Sequence, residues 1–169
     1  MDTPTETDKA HLARAIELAR KGADAVRPNP VVGAVVARDG RILGEGWHKA
    51  FGGAHAEVNA IEACGLEDLS DATLYVSLEP CCHEGKTPPC TDAILQAGLR
   101  RVVVASDDPT EKASGRGLGM LRDEGVDVVL ADGELAERAR LLNQGSNAWR
   151  RVSTSPPAIG IGERRHNWR

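Results

Sequence analysis

Residues 79–90 read Glu79-Pro80-Cys81-Cys82-His83-Glu84-Gly85-Lys86-Thr87-Pro88-Pro89-Cys90, and upstream of them stands His55-Ala56-Glu57. Three of the four cysteines fall in this one loop; Cys64 is the fourth. Cysteines crowded so closely are a poor framework for stapling a whole chain with disulfides, and read better as metal-binding or catalytic. A catalytic zinc takes three protein ligands and keeps its fourth position for water. One imidazole and two thiolates bring two negative charges, so the centre starts near neutral, and zinc lowers the pKa of its water to about 7. Here the imidazole is His55, and the thiols are Cys90 with Cys81 or Cys82. Helix N-termini favour thiolate over thiol, and both the histidine and the loop thiols stand beside expected helix starts.

Glu57 follows His55 by two positions, so within a first helical turn it can face the same site without ligating. That suits a proton shuttle. The pattern His-x-Glu followed by Pro-Cys is that of zinc deaminases, whose second cysteine comes after two further residues. In this chain eight residues separate Cys81 from Cys90, which marks a particular branch.

Working outward, Leu12, Ile16 and Ala19 recur at helical spacing, which predicts a helix over Thr7–Lys21 with Gly22 as its stop. Pro28-Asn29-Pro30 is an extended loop, because each proline restrains itself and its predecessor. Val31–Ala37 and Arg41–Trp47 read as a hairpin about Asp39-Gly40. Further on, Ala54–Cys64 is expected helical, Thr73–Leu78 a strand, and Asp92–Ala97 a helix capped by Thr91. Arg101–Ala105, Leu118–Glu124, Val126–Leu130 and Glu134–Asn143 continue the alternation of strand and helix. The hairpin is antiparallel, and the later strands, joined through helices, are expected to be parallel in one mixed sheet.

Composition removes several classes. The chain has 169 residues, 41% hydrophobic and 27% charged, with net charge −4, so one globular domain is expected and no basic footprint for nucleic acid. Three Trp, one Tyr and one Phe are too few for base-stacking platforms. The longest apolar-and-glycine run, Val31–Ala37, is far below the roughly 20 residues of a membrane helix. The start, Met1 to His11, is polar and lacks the pattern of an export signal, so a cytoplasmic location is expected.

These motifs together resemble the deaminase domain of the bifunctional riboflavin-biosynthesis enzyme, the diaminohydroxyphosphoribosylaminopyrimidine deaminase. The resemblance is carried by Pro28-Asn29-Pro30-Val31-Val32-Gly33-Ala34, Gly44-Glu45-Gly46-Trp47-His48, His55-Ala56-Glu57, the Pro80–Cys90 loop, Asp108-Pro109 and Gly115-Arg116-Gly117. It implies a three-layer α/β/α cytidine deaminase-like fold with one mixed five-stranded sheet. It also implies Zn²⁺ on His55, Cys81 and Cys90, with Glu57 as acid and base and Cys82 as loop filler. Asn29, His48, His83, Lys86 and Asp108 are then substrate contacts. Thr110 stands where the family usually has asparagine, and so bears on the sugar-phosphate end.

The function implied is hydrolytic deamination of a diaminohydroxypyrimidine ribosylamine phosphate, releasing ammonia. The alternatives are a deaminase of a different aminopyrimidine or purine in a specialised pathway, a nucleic-acid base deaminase, and a non-catalytic zinc module. The deaminase domain is expected over residues 1–150, with a tail over 151–169 and no reductase domain. The partners expected are a small-molecule substrate and further copies in a homo-oligomer (a dimer or tetramer), with a separate reductase of the same pathway as a further candidate; neither nucleic acid nor membrane is expected as a partner. His11 is expected at the surface, and Cys64 in the core.

Overall fold

A computed structural model describes residues 3–26, 28–65, 68–83, 88–110 and 115–144. The elements run α1 (Glu6–Arg20), β1 (Gly33–Arg38), β2 (Arg41–Trp47), α2 (Ala56–Cys64), β3 (Thr73–Val76), α3 (Cys90–Gln96), β4 (Arg101–Val104), α4 (Arg116–Asp123), β5 (Asp127–Leu130) and α5 (Gly133–Asn143). The strands form one five-stranded sheet in the order β2-β1-β3-β4-β5. β1 pairs antiparallel with both β2 and β3, while β3–β4 and β4–β5 are parallel. The sheet is therefore mixed, as the alternation of elements predicts.

Residue alternation along the strands divides the core into two layers. Ala34, Val36, Leu74, Val76, Val102 and Val104 face α2, α3 and α4, packing with Ala56, Ala60, Ile94 and Leu121. Val35, Ala37, Tyr75, Val103 and Val129 face the other way, against Leu12, Ala15 and Ile16 of α1 and Ala139 of α5. The result is the expected three-layer α/β/α arrangement.

Local chemistry explains the element ends. Thr5 caps α1 in a reciprocal box with Asp8. Asp39 and Gly40, at φ 51° and 77°, make the tight turn of the hairpin. Two expectations change. β1 begins at Gly33 rather than Val31, because the backbone of Val31 is engaged elsewhere: its N–H donates to Asn143 Oδ1 at 2.7 Å and its carbonyl accepts from Asn143 Nδ2 at 3.1 Å. Thr91 does not cap α3, which begins one residue earlier at Cys90 behind Pro89. The N–H groups of Cys90 and Thr91 are met by the Sγ and carbonyl of Cys81, so the cap comes from the loop and not from a hydroxyl.

His11 is buried rather than at the surface, with its ring 4.9 Å from that of Tyr75. Its neighbour Asp8 is also buried and accepts hydrogen bonds from the Tyr75 hydroxyl and from both terminal nitrogens of Arg101, all at 2.8 Å. The guanidinium holds the Asp8 carboxyl well below the usual carboxylate range. This network ties α1 to β3 and β4 on the face away from the cysteine loop. Cys64 is half-buried against the α2 side of the core, its thiol donating to the Ala60 carbonyl at 3.2 Å. No helix among the described residues is long and apolar enough to cross a membrane.

Candidate active site

The site forms where the first turns of α2 and α3 meet. Close packing of α2 on the hairpin makes this possible. A Cβ on Gly46 would fall on the Ala56 carbonyl and the Ala60 nitrogen, and one on Gly44 would fall on the Ala60 carbonyl and the Cys64 sulfur. Glycine at both positions lets the helix backbone rest directly on β2. His55 is the N-cap of α2 in extended conformation, with Ala56 and Glu57 as its first helical residues. Asn59, one turn on, donates to the carbonyls of Trp47 (2.9 Å) and Ala54 (3.2 Å), and so fastens the intervening loop.

His55, Cys81 and Cys90 converge, their ligand atoms all lying within 4.8 Å of one another. His55 Nδ1 is 3.2 Å from Cys90 Sγ and 3.5 Å from Cys81 Sγ. A tetrahedral zinc with bonds of about 2.0–2.3 Å to nitrogen and sulfur has ligand–ligand edges of about 3.5–3.8 Å, so this donor set fits one zinc ion with little adjustment. The electrostatics agree. Hydrogen bonding to Cys90 and His55 lowers the Cys81 thiol, which favours its thiolate form. The same bond to Cys81 pushes the Cys90 thiol up. The bond to Cys81 also raises His55, against the effect of its burial. Three donors thus share protons that a cation would displace. Cys82, next in sequence, is outside the cluster, and burial raises its thiol.

Glu57 is 3% exposed, and its Oε2 accepts from the Cys90 thiol at 3.4 Å. Burial is the main cause that raises this carboxyl to about 7, with the Cys81 charge adding to it. Glu57 and His55 line a pocket of about 280 Å³, together with Asn29, His48, His83 and Asp108. His48 is buried, and its Nδ1 faces the Ala54 carbonyl at 3.2 Å. A carbonyl only accepts, so Nδ1 carries the proton and Nε2 accepts from the Asn29 amide at 3.4 Å. Burial lowers His48, keeping it neutral. Its ring meets that of His55 edge-on at 5.1 Å.

Of the sequence-derived site residues, His55, Glu57, Cys81, Cys90, Asn29, His48, His83 and Asp108 come together here. Thr110 is not part of the lining; its backbone N–H donates to Asp108 Oδ1 at 2.8 Å, closing a turn after the aspartate. Lys86 lies outside the described residues. Sequence reasoning assigned no role to Glu79, Asn59, Asn143 or Phe51. Glu79 and Phe51 line the pocket. Glu79 had one visible signal, a carboxylate directly before the Pro-Cys pair, but its partners lie about thirty to forty residues on.

Residues 5–106 match the family model for the cytidine and deoxycytidylate deaminase zinc-binding region. The chain is 48% identical over 139 residues to the riboflavin biosynthesis protein RibD of Actinobacillus pleuropneumoniae, a match covering 82% of this chain and 36% of that protein. It is 42% identical over 150 residues to the diaminohydroxyphosphoribosylamino-pyrimidine deaminase of Buchnera aphidicola subsp. Schizaphis graminum, covering 89% of this chain and 99% of that protein. A solved diaminohydroxyphosphoribosylaminopyrimidine deaminase/5-amino-6-(5-phosphoribosylamino)uracil reductase from Thermotoga maritima superposes with a TM-score of 0.74 at 49% identity, over 80% of this chain and 39% of that one. The chain thus spans less than half the length of the RibD-type relatives and nearly the whole of the Buchnera deaminase. With the His-Cys-Cys group in place, these matches show that the chain belongs to the cytidine and deoxycytidylate deaminase zinc-binding family, beside the diaminohydroxyphosphoribosylamino-pyrimidine deaminases.

Proposed function

We propose that this chain is a zinc-dependent enzyme of riboflavin biosynthesis that hydrolytically deaminates a diaminohydroxypyrimidine ribosylamine phosphate and releases ammonia. The observation that carries this reading is the buried Glu57 carboxylate, raised to about 7, beside a three-donor metal group in a pocket that also holds Asn29, His48 and Asp108. The names of the relatives supply the substrate class.

In this reading His55, Cys81 and Cys90 hold zinc. When bound, the metal supplies a Lewis acid that makes water a nucleophile near neutral pH. Glu57 takes one proton from the attacking water and delivers it to the substrate's ring nitrogen, then takes the second from the added hydroxyl and delivers it to the amine, which departs as ammonia. A carboxyl that burial holds above its ordinary range can both accept and release a proton within one turnover. Asn29, with one amide hydrogen engaged by His48, keeps its carbonyl oxygen and second hydrogen for the pyrimidine edge. His83 and Asp108 contact the ribosylamine side, and Lys86 meets the phosphate. Thr110 acts through Asp108, whose turn it closes.

The test is ammonia release by the purified, zinc-loaded protein. The phosphorylated pyrimidine, its dephosphorylated form and a panel of other aminopyrimidines and purines are compared. Turnover of the phosphorylated compound above all others is expected. Turnover of another ring system with none of this one would overturn the reading.

A further inference from the structure

Glu79 ties the start of the cysteine loop to two segments about thirty to forty residues further on. It is 4% exposed on the pocket wall, and its own backbone N–H donates to the Ser106 carbonyl at 2.9 Å. Its Oε1 accepts the N–H of Asp108 at 3.2 Å and of Gly115 at 2.9 Å, and its Oε2 accepts the N–H of Gly117 at 3.0 Å. Gly115 is the N-cap of α4 and has no side chain to cap with. The N–H of the N-cap and that of Gly117 in the first turn are therefore met by a carboxylate from another element, the favourable charge for a helix N-terminus. Gly117 completes the seam. A Cβ there would fall on the carbonyl of Pro80, so the start of α4 rests on the backbone of the residue between Glu79 and Cys81.

One side chain thus fastens the segment carrying Asp108 and the start of α4 to the loop carrying Cys81. We propose that Glu79 is a positioning residue: its carboxylate sets the separation of the Asp108 wall from the metal group, and so the fit of the substrate's sugar side, without touching the reacting atoms. This rests on the deaminase reading above. A carboxylate offers two acceptor oxygens to these donors, whereas an amide offers one oxygen and turns two hydrogens toward N–H groups. Glu79→Gln therefore cannot keep all three bonds.

The experiment measures kcat, KM, zinc per chain and Tm for the wild type, Glu79→Gln, Glu79→Asp and Gly117→Ala. A wall displaced from a correctly assembled metal group weakens substrate binding more than chemistry. For Glu79→Gln the expected result is a KM raised about tenfold, kcat changed by less than about threefold, and zinc content unchanged. Gly117→Ala keeps the carboxylate but pushes the same seam apart, and is expected to show the same split; Glu79→Asp is expected to fall between. A lowered Tm with wild-type KM would mean a purely structural cap and overturn the proposal, as would a fall in kcat or zinc content at constant KM. Should Glu79→Gln fail to fold, Gly117→Ala decides by the same criterion. An inactive wild type would count against the deaminase reading, whereas an active wild type with unchanged KM in the variants counts against the positioning role alone.

Discussion

The Cys90 thiol donates to Glu57 Oε2 at 3.4 Å, which sets the buried carboxylate against the metal group without making it a member. A carboxylate in that place can exchange protons beside the metal while the three donors stay intact. Glu57→Gln keeps the side chain's shape and removes its proton chemistry. Turnover is expected to fall by roughly 10²–10⁴-fold, the loss typical of a missing acid/base group. Zinc per chain, read by atomic absorption, should not change.

The same burial carries a cost in stability. Glu57 moves from its ordinary 4.5 to about 7 on folding, so the native state binds more protons than the unfolded chain between those values. Stability therefore falls as pH rises through that window, and the penalty of about 3 kcal/mol is fully present above it. In metal-free protein, Glu57→Gln is expected to be more stable than the wild type at about pH 8 and no more stable at about pH 4. Urea melts at the two pH values check this; equal wild-type and variant midpoints at the higher pH would contradict it.

Zinc affinity should depend on pH. The Cys81 thiol is lowered, but Cys90 is raised by its bond to Cys81, and His55 is raised by the same group. Zinc must displace those protons, so its apparent affinity weakens as pH falls through neutrality. Competition with a chromophoric chelator is expected to give a Kd about tenfold or more higher at about pH 6 than at about pH 8, with protons released on loading. A pH-independent Kd would mean that the three donors are not the ligands.

Two glycines give opposite outcomes on substitution by alanine. In Gly46→Ala the new methyl meets the α2 backbone at Ala56 and Ala60. Overpacking of this kind costs about 1–3 kcal/mol and here also shifts the turn carrying His55 and Glu57, so Tm and zinc occupancy should drop together. Gly119 lies within α4 with nothing within 4 Å of an added Cβ. Gly119→Ala is expected to stabilise by about 0.5–1 kcal/mol, because glycine is a poor helix former. Thermal melts of both variants decide the pair.

Much of the architecture was legible because its causes are local. Leu12, Ile16 and Ala19 mark one face of α1, and Asp39-Gly40 marks the hairpin turn; each signal involves residues within a few positions of one another. Misreadings arose where the deciding partner is remote. Thr91 looks like a cap by type, but Cys81 supplies the cap to α3. Val31 looks like strand, but Asn143, at the far end of the last helix, takes both its backbone groups. A polar His11 suggests solvent, but the sheet's Tyr75 covers it.

The sequence by itself determined the kinds of donor available, one imidazole, two thiolates and a neighbouring carboxylate, since metal and proton chemistry follow from residue type. It also determined the order of helices and strands, since periodicity and turn chemistry act over short spans. Only the tertiary structure decided that His55 and Cys90, thirty-five residues apart, stand 3.2 Å from each other, and that Glu57 is buried deeply enough to hold a proton near neutral pH. It alone gave Glu79 its partners at Asp108, Gly115 and Gly117. The physical reason is that desolvation and hydrogen bonding depend on which groups packing brings together, and packing joins segments that sequence spacing does not relate.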